Sequence, residues 1–124
     1  AKIGFPVTPD DIAIRRRVII APTDAAAHGF ADAAASRFQE FVSHDLRLAS
    51  NQIPDAPKAS GGFSISEDEF VIGVPSRVAD VIRRQCEATG AGHFLSVFHW
   101  GAGFDEVAGA HRLFGEQVIP LLTR

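Results

Sequence analysis

The sequence predicts an α/β fold in which parallel strands alternate with helices packed outside them. Short apolar runs rich in β-branched residues alternate with longer segments whose apolar residues recur every three or four positions. The order along the chain is β-α, a long loop, and then β-α-β-α. Because parallel neighbours need a long crossover, which is usually a helix, this alternation favours a parallel sheet.

The first βα unit is the most regular part of the chain. After a lead-in over residues 1–14, residues 15–21 predict a strand, and Thr23 or Asp24 is expected to cap the helix that follows. That helix carries one continuous apolar stripe at a period of 3.6 residues, which predicts packing against a sheet. The stripe consists of Ala27, Phe30, Ala31, Ala34, Phe38, Phe41 and Val42.

Residues 50–68 lose all periodicity and are rich in proline, glycine and serine. A structureless loop of this length is uncommon inside a compact domain and is usually a functional lid or a linker. Lys58 is the only basic residue between Arg47 and Arg77, so in a lid it is the expected contact for an anion. A solvated loop lysine explains the same residue, and both interpretations stay open.

The second half predicts a further βαβα run. Residues 70–72 form a short strand, Pro75 suits the first position of a helix, and Gly90 suits its left-handed end. A third strand is expected over residues 93–98 and a last helix from about Asp105. The apolar stripes of the two helices are Val78, Val81, Ile82 and Cys86, and Val107, His111, Phe114 and Val118; Pro120 should end or bend the last helix.

Length and composition exclude several classes of protein. A chain of 124 residues with 46% apolar and 22% charged residues is one globular domain or part of one. The net charge of −3 provides no basic surface for nucleic acid. No apolar run reaches the roughly 18–20 residues of a membrane span, so neither nucleic acid nor a membrane is expected as a partner.

Candidate reactive residues are few. Cys86 is the single cysteine, which excludes an internal disulfide and fits a reducing cytoplasm; a packed thiol is expected. The histidines do not have the spacing of metal ligands, so no metal site is expected. No Gly-rich phosphate loop follows a strand, and no nucleophile elbow is present.

Several short motifs follow one another in a specific order along the second half of the chain. Ile72-Gly73-Val74-Pro75 opens a helix with Val78-Ala79 and Ile82, a Gly-containing turn precedes strand 94–98, and Leu-Phe-Gly-Glu-Gln-Val-Ile-Pro closes the match at 113–120. Together with the strand-to-helix passage at 17–27, this order resembles the C-terminal end of the bacterial luciferase-like flavin monooxygenases. Val74 stands where that family commonly has Thr or Ser as a helix cap, and Gly115 stands where it usually has alanine.

The resemblance implies a fold and a chemistry. The family fold is a (β/α)8 barrel of roughly 250 residues, so residues 1–124 are expected to form a single partial domain, the C-terminal part of an incomplete barrel. The full-length protein is then expected to be a cytoplasmic monooxygenase. It would use reduced FMN and O2 on a small organic substrate, with a flavin reductase as a possible partner. The chain alone is expected to be inactive and to bind flavin weakly or not at all, because most of the barrel rim is absent.

The candidate site lies where the third strand ends in His99-Trp100-Gly101. Active sites of α/β barrels lie at the carboxyl ends of strands. Trp100 could stack on a flat ring, His99 could hydrogen-bond a flavin edge, and Gly101 would permit close backbone approach. Alternatively, the tryptophan caps the core and the histidine bonds a backbone carbonyl. No residue is assigned a catalytic role.

A second hypothesis is a non-catalytic small α/β module that associates with itself. An incomplete barrel has open strand edges and an uncovered apolar face formed by alternate members of residues 18–21 and 94–98. Unpaired edges and exposed apolar faces promote association, so a homo-oligomer, most commonly a dimer, is expected on either hypothesis.

Overall fold

The computed structural model of the chain describes Gly4 and residues 6–52, 69–98 and 103–123, with side chains of the first helix described through Glu40. A 3-10 turn at Pro9–Asp11 precedes the first strand. The main elements are β1 Ala13–Ile20, α1 Asp24–Gln52, β2 Phe70–Gly73, α2 Pro75–Thr89, β3 His93–Val97 and α3 Phe104–Leu113. The predicted alternation of strands and helices is therefore confirmed. Residues 50–52, at the start of the predicted long loop, still belong to α1; the rest of that predicted loop, with Lys58, lies outside the described residues.

The three strands form one parallel sheet in the order β2-β1-β3. Arg17 on the central strand lies opposite Phe70 on one side and Val97 on the other. Consecutive units of a (β/α)8 barrel place each strand beside its predecessor, which would put β2 between β1 and β3. The observed order is instead that of a doubly wound sheet, in which the chain leaves the first strand in one direction and later returns past it.

This strand order places helices on both faces of the sheet. The two crossovers step in opposite directions, and right-handed connections then put α1 and α2 on opposite faces. Ala34 and Phe38 of α1 pack with Ile19 and Phe70. The opposite face is covered by α2 and by the helical segment after β3, in a cluster formed by Val18, Ile20, Val71, Val78, Ala79, Ile82, Phe98 and Val118.

The expectation of an uncovered apolar face is accordingly wrong for most of the sheet, since α1 covers Ile19 and Phe70. Leu95 on β3 pairs with Arg15 and therefore points to the same face as Ile19, beyond the area that α1 covers. Its side chain remains 51% exposed. The open area is thus a strip along the outer strand β3.

Local sequence signals account for the helix ends. The Thr23 hydroxyl accepts a hydrogen bond from the backbone N–H of Ala26 at 3.2 Å, so Thr23 rather than Asp24 provides the side-chain cap of α1. Pro75 is the first residue of α2, and Gly90 ends that helix with φ of 74°. The predicted stripe of α1 is buried at Ala27, Ala31 and Ala34, whereas Phe30 is 41% exposed.

Pro120 lies in a short helix that follows a π-helical segment at the end of the chain. After α3 the chain forms a π-helical segment, Phe114–Val118, and then a short helix, α4, Ile119–Leu122. The N–H of Ile119 donates to the carbonyl oxygen of Phe114, five residues earlier. Because proline has no N–H to continue an α-helical ladder, the wider turn adapts the backbone while it keeps Val118 fully buried.

The lead-in is anchored to the turn between α2 and β3. The N–H of Gly92 donates to the Pro9 carbonyl at 2.7 Å and to the Ile12 carbonyl at 3.2 Å. A Cβ atom at Gly92 would lie 2.6 Å from the Pro9 oxygen, so this backbone approach requires glycine. Within the 3-10 turn of the lead-in, hydrogen bonds from the N–H and hydroxyl of Thr8 lower the pKa of the Asp11 carboxyl.

We expect Gly92→Ala to lower the free energy of unfolding by about 1–3 kcal/mol, because the new methyl group forces the two backbone segments apart. Gly29→Ala is the matched control, since nothing lies within 4 Å of a Cβ at that helical position. The control should raise stability by about 0.5–1 kcal/mol through helix propensity. Urea unfolding followed by circular dichroism measures both; equal stability of the Gly92→Ala variant and the natural chain would contradict this anchor.

Candidate functional site

The carboxyl ends of the parallel strands share one edge of the sheet, and α1, α2 and α3 begin there. In open α/β sheets, ligands bind at this edge where neighbouring strands lead to helices on opposite faces. Here that point lies between β1 and β3. The helix after β1 packs on one face, and Val107 and Ala110 of α3 pack against the cluster on the other.

A concavity of about 430 Å³ opens at this point. This volume lies within the range of roughly 300–1,000 Å³ that is typical of small-molecule sites. The end of β1, one side of α1 and one side of α3 form its walls. They contribute Ile20, Ala21, Pro22, Phe30, Asp105, Glu106, Gly109, Ala110, Arg112, Leu113 and Glu116.

The floor of the concavity is apolar. Ile20 and Ala21 at the end of β1 are buried, and Phe30 of α1 faces them with 41% of its surface exposed. Gly109 of α3 leaves the opposite side open, because a Cβ there would meet no atom within 4 Å. The space therefore exists because α1 and α3 diverge around the end of the central strand.

The α3 wall is polar and mostly acidic. Its lining residues Asp105, Gly109, Arg112 and Glu116 recur at i, i+4, i+7 and i+11, which places them along one side of the helix. Glu106 has a structural role, since its carboxylate accepts from the Gly103 N–H at 3.2 Å and lies 3.9 Å from the Arg37 guanidinium. Within the described residues, Asp105 and Glu116 form no ion pair.

The end of β3 is fixed to the last helix through Phe98. This side chain is buried, and its ring centroid lies 4.4 Å from that of His111 and 5.2 Å from that of Phe114. Packing against α3 thus accounts for the apolar end of the strand. The predicted contacts that follow it, His99, Trp100 and Gly101, lie outside the described residues.

A second part of the same edge has the opposite electrostatic character. Of the three long helices, only α2 begins without an acidic residue in its first turn. Val74 provides no side-chain cap to its N–H groups, and Arg77 lies in this first turn. The N–H of Ala21, which lines the concavity, donates to the Gly73 carbonyl at 3.3 Å, so the start of α2 adjoins the concavity. An anion is favoured at the start of α2 over the acidic α3 wall.

The described residues add little other chemistry. Among them, no group of three or more His, Cys, Asp or Glu side chains could hold a metal ion. None of the described helices is both long and apolar enough to cross a membrane. Cys86 packs partly buried against the core, and burial raises the pKa of its thiol, which agrees with the expected packed role.

Comparison with known proteins shows similarity of fold. Neither a protein-family model nor a curated protein matches the sequence. The crystal structure of the monooxygenase RslO1 from Streptomyces bottropensis is similar with a TM-score of 0.61 and 24% identity, over 94% of this chain and 32% of RslO1. Apo-MsnO8 is similar with a TM-score of 0.58 and 23% identity, over 86% of this chain and 34% of MsnO8. The chain therefore spans about a third of the length of these two proteins and shares an α/β fold with that part of them.

The walls of the concavity were not predicted from the sequence. Phe30 was predicted as part of a packing stripe, and only the apolar side of the last helix was interpreted. A usable signal was present, because Asp105, Gly109, Arg112 and Glu116 share one side of that helix. Such a pattern is usually a solvated face, and only the position of α1 opposite α3 makes it the wall of a site.

Proposed function

We propose that this chain is the C-terminal part of a flavin-dependent monooxygenase that acts with reduced FMN and O2 on a small organic substrate. The observation that carries the proposal is the likeness of fold to the monooxygenase RslO1 across 94% of this chain. The ordered motifs that resemble the luciferase-like family support it from the sequence. Because the likeness covers only 32% of RslO1, the chain alone is expected to be inactive.

The shape of the carboxyl edge supports a small organic substrate. The concavity has an apolar floor and a volume of about 430 Å³, which suits a ligand of modest size. A flavin would supply the oxygen chemistry when bound, while the protein's part is to bind, orient and exclude water. In this proposal the residues around Ile20 and Phe30 provide the apolar surface for the substrate.

The two ends of this edge fit a flavin phosphate differently. The concavity itself does not suit a phosphate, because Asp105 and Glu116 would repel it. The first turn of α2 suits one, since its N–H groups have no side-chain cap, Arg77 is adjacent and no carboxylate is in the turn. We therefore place the phosphate of FMN at the start of α2. His99, Trp100 and Gly101 stay predicted flavin contacts, and Lys58 stays a predicted lid residue.

Further parts of the proposal concern the longer protein. A separate flavin reductase would deliver reduced flavin in the cytoplasm, and further βα units would extend the sheet from the open edges of β2 and β3. A complete serial barrel would require β2 to lie between β1 and β3. The observed order is β2-β1-β3, which differs from serial barrel order, and the site in this chain is formed by the observed order.

The alternative function, a self-associating module, is favoured by one observation. Leu95 lies on the outer strand β3 and is 51% exposed, beside backbone groups that no described strand pairs. We expect two copies to associate along this strand, and Leu95→Lys to shift the equilibrium toward the monomer. Sedimentation equilibrium tests this directly; a 13.3 kDa monomer for the natural chain at high concentration would contradict it.

Titration of the labelled chain with FMN, followed by amide NMR shifts, tests the flavin proposal. We expect weak binding, millimolar rather than micromolar, with shifts at Ser76 and Arg77 that riboflavin, which lacks the phosphate, does not cause. Arg77→Gln should weaken FMN binding roughly two- to five-fold, as expected for one exposed ion pair. Arg84→Gln, on the same helix but outside its first turn, is the matched control.

Two outcomes would contradict the flavin proposal. If FMN shifts no amide at the carboxyl edge at millimolar concentration, this chain contributes nothing to a flavin site. If saturable micromolar binding occurs, the chain carries most of the site by itself, and the expectation that most of the flavin contacts lie outside it is wrong.

A further inference from the structure

We propose that the concavity at the carboxyl end of β1 binds a small organic cation with an apolar body, such as an arylalkylammonium. This inference names the substrate class of the proposed function and rests on it. It follows from three features of the concavity, namely an open volume, an exposed aromatic ring and a wall whose charge is negative.

The volume is preserved by the absence of a side chain at Gly109. A Cβ there would meet no atom within 4 Å, although almost any other residue would favour the helix more. Across the gap, Phe30 lies 41% exposed on α1. The two helices therefore leave space for an apolar body of the size of one aromatic ring with a short chain.

The charge of the wall selects the sign of the ligand. Three carboxylates, those of Asp105, Glu106 and Glu116, line the concavity together with one guanidinium, that of Arg112. Glu106 is engaged with Gly103 and Arg37, which leaves Asp105 and Glu116 to act on a ligand. A cation is attracted to such a wall, whereas a carboxylate or phosphate is repelled.

Helix stability does not explain all of these charges. Asp105 and Glu106 lie in the first turn of α3, where acidic residues stabilise a helix. Glu116 lies well beyond that turn, in the π-helical segment, and forms no ion pair within the described chain. The exposed Phe30 ring offers a second attraction for a cation through its face.

The direct test is a titration of the full 124-residue chain, followed by amide NMR shifts, with three probes of similar size. These are 2-phenylethylammonium, 2-phenylethanol and 3-phenylpropanoate. We expect the ammonium to bind most tightly and the carboxylate least, with shifts at Ala21, Gly109 and Ala110. The preference should shrink as salt rises from about 0.01 to about 1 M, because the Debye length falls from about 30 to about 3 Å.

Variants locate the binding and its charge preference. Gly109→Leu should narrow the concavity and weaken binding of all three probes, and the variant should still fold, because leucine is the better helix former. Glu116→Gln and Asp105→Asn should each weaken ammonium binding roughly two- to five-fold, and Arg112→Gln should strengthen it by a similar factor. Glu87→Gln, an exposed acid on α2 away from the concavity, is the matched control and should change nothing.

Equal affinity for the three probes, or no shift at the concavity with the ammonium at millimolar concentration, would overturn the inference. Undiminished binding to a folded Gly109→Leu variant would overturn the location. None of these measurements includes flavin, so they fail independently of the proposed monooxygenase. A chain that binds ammonium but shows no response to FMN would refute the flavin proposal alone.

Discussion

The parallel pairing of β1 with a strand on each side is the constraint on which the rest of the structure depends. Arg17 has Phe70 opposite it on one side and Val97 on the other, so β1 cannot be exposed on either edge at this point. Its faces must then be covered as well. Val18 and Ile20 are covered by α2 and the last helical segments, and Ile19 by α1. Because α1 and α3 lie on opposite faces, they diverge at the end of β1, and the concavity forms between them.

The local elements of this fold could be predicted, since nearby residues determine them. Pro75 begins α2 and Gly90 ends it, because the backbone preferences of proline and glycine hold in any context. Thr23 caps α1 through a short-range hydrogen bond. The apolar stripe of α1 stops near Val42, but the helix continues to Gln52, three residues into the predicted loop. Beyond the stripe, residues of good helix propensity such as Leu46, Arg47 and Ala49 prolong the helix.

Strand order could not be predicted, because it depends on contacts between segments far apart in the chain. The runs 18–20, 70–72 and 94–98 are all short and apolar, so each could occupy a central or an outer place. The barrel that the family resemblance implies would have serial strand order instead. The site could not be predicted for the same reason, since Phe30 and Gly109 are 79 residues apart and only the fold brings them to one concavity.

The backbone contacts of β3 provide the most direct measurement of this account. In NOE spectra of the uniformly ¹³C,¹⁵N-labelled chain, β1 should show inter-strand backbone contacts to both neighbours, from Arg17 toward Phe70 and from Ile14 toward Phe94. The concavity at the end of β1 depends on both sets, because this strand order places α1 and α3 on opposite faces of the sheet. Backbone contacts between β2 and β3, with none between β1 and β3, would show serial barrel order and would contradict the structure on which the site is built.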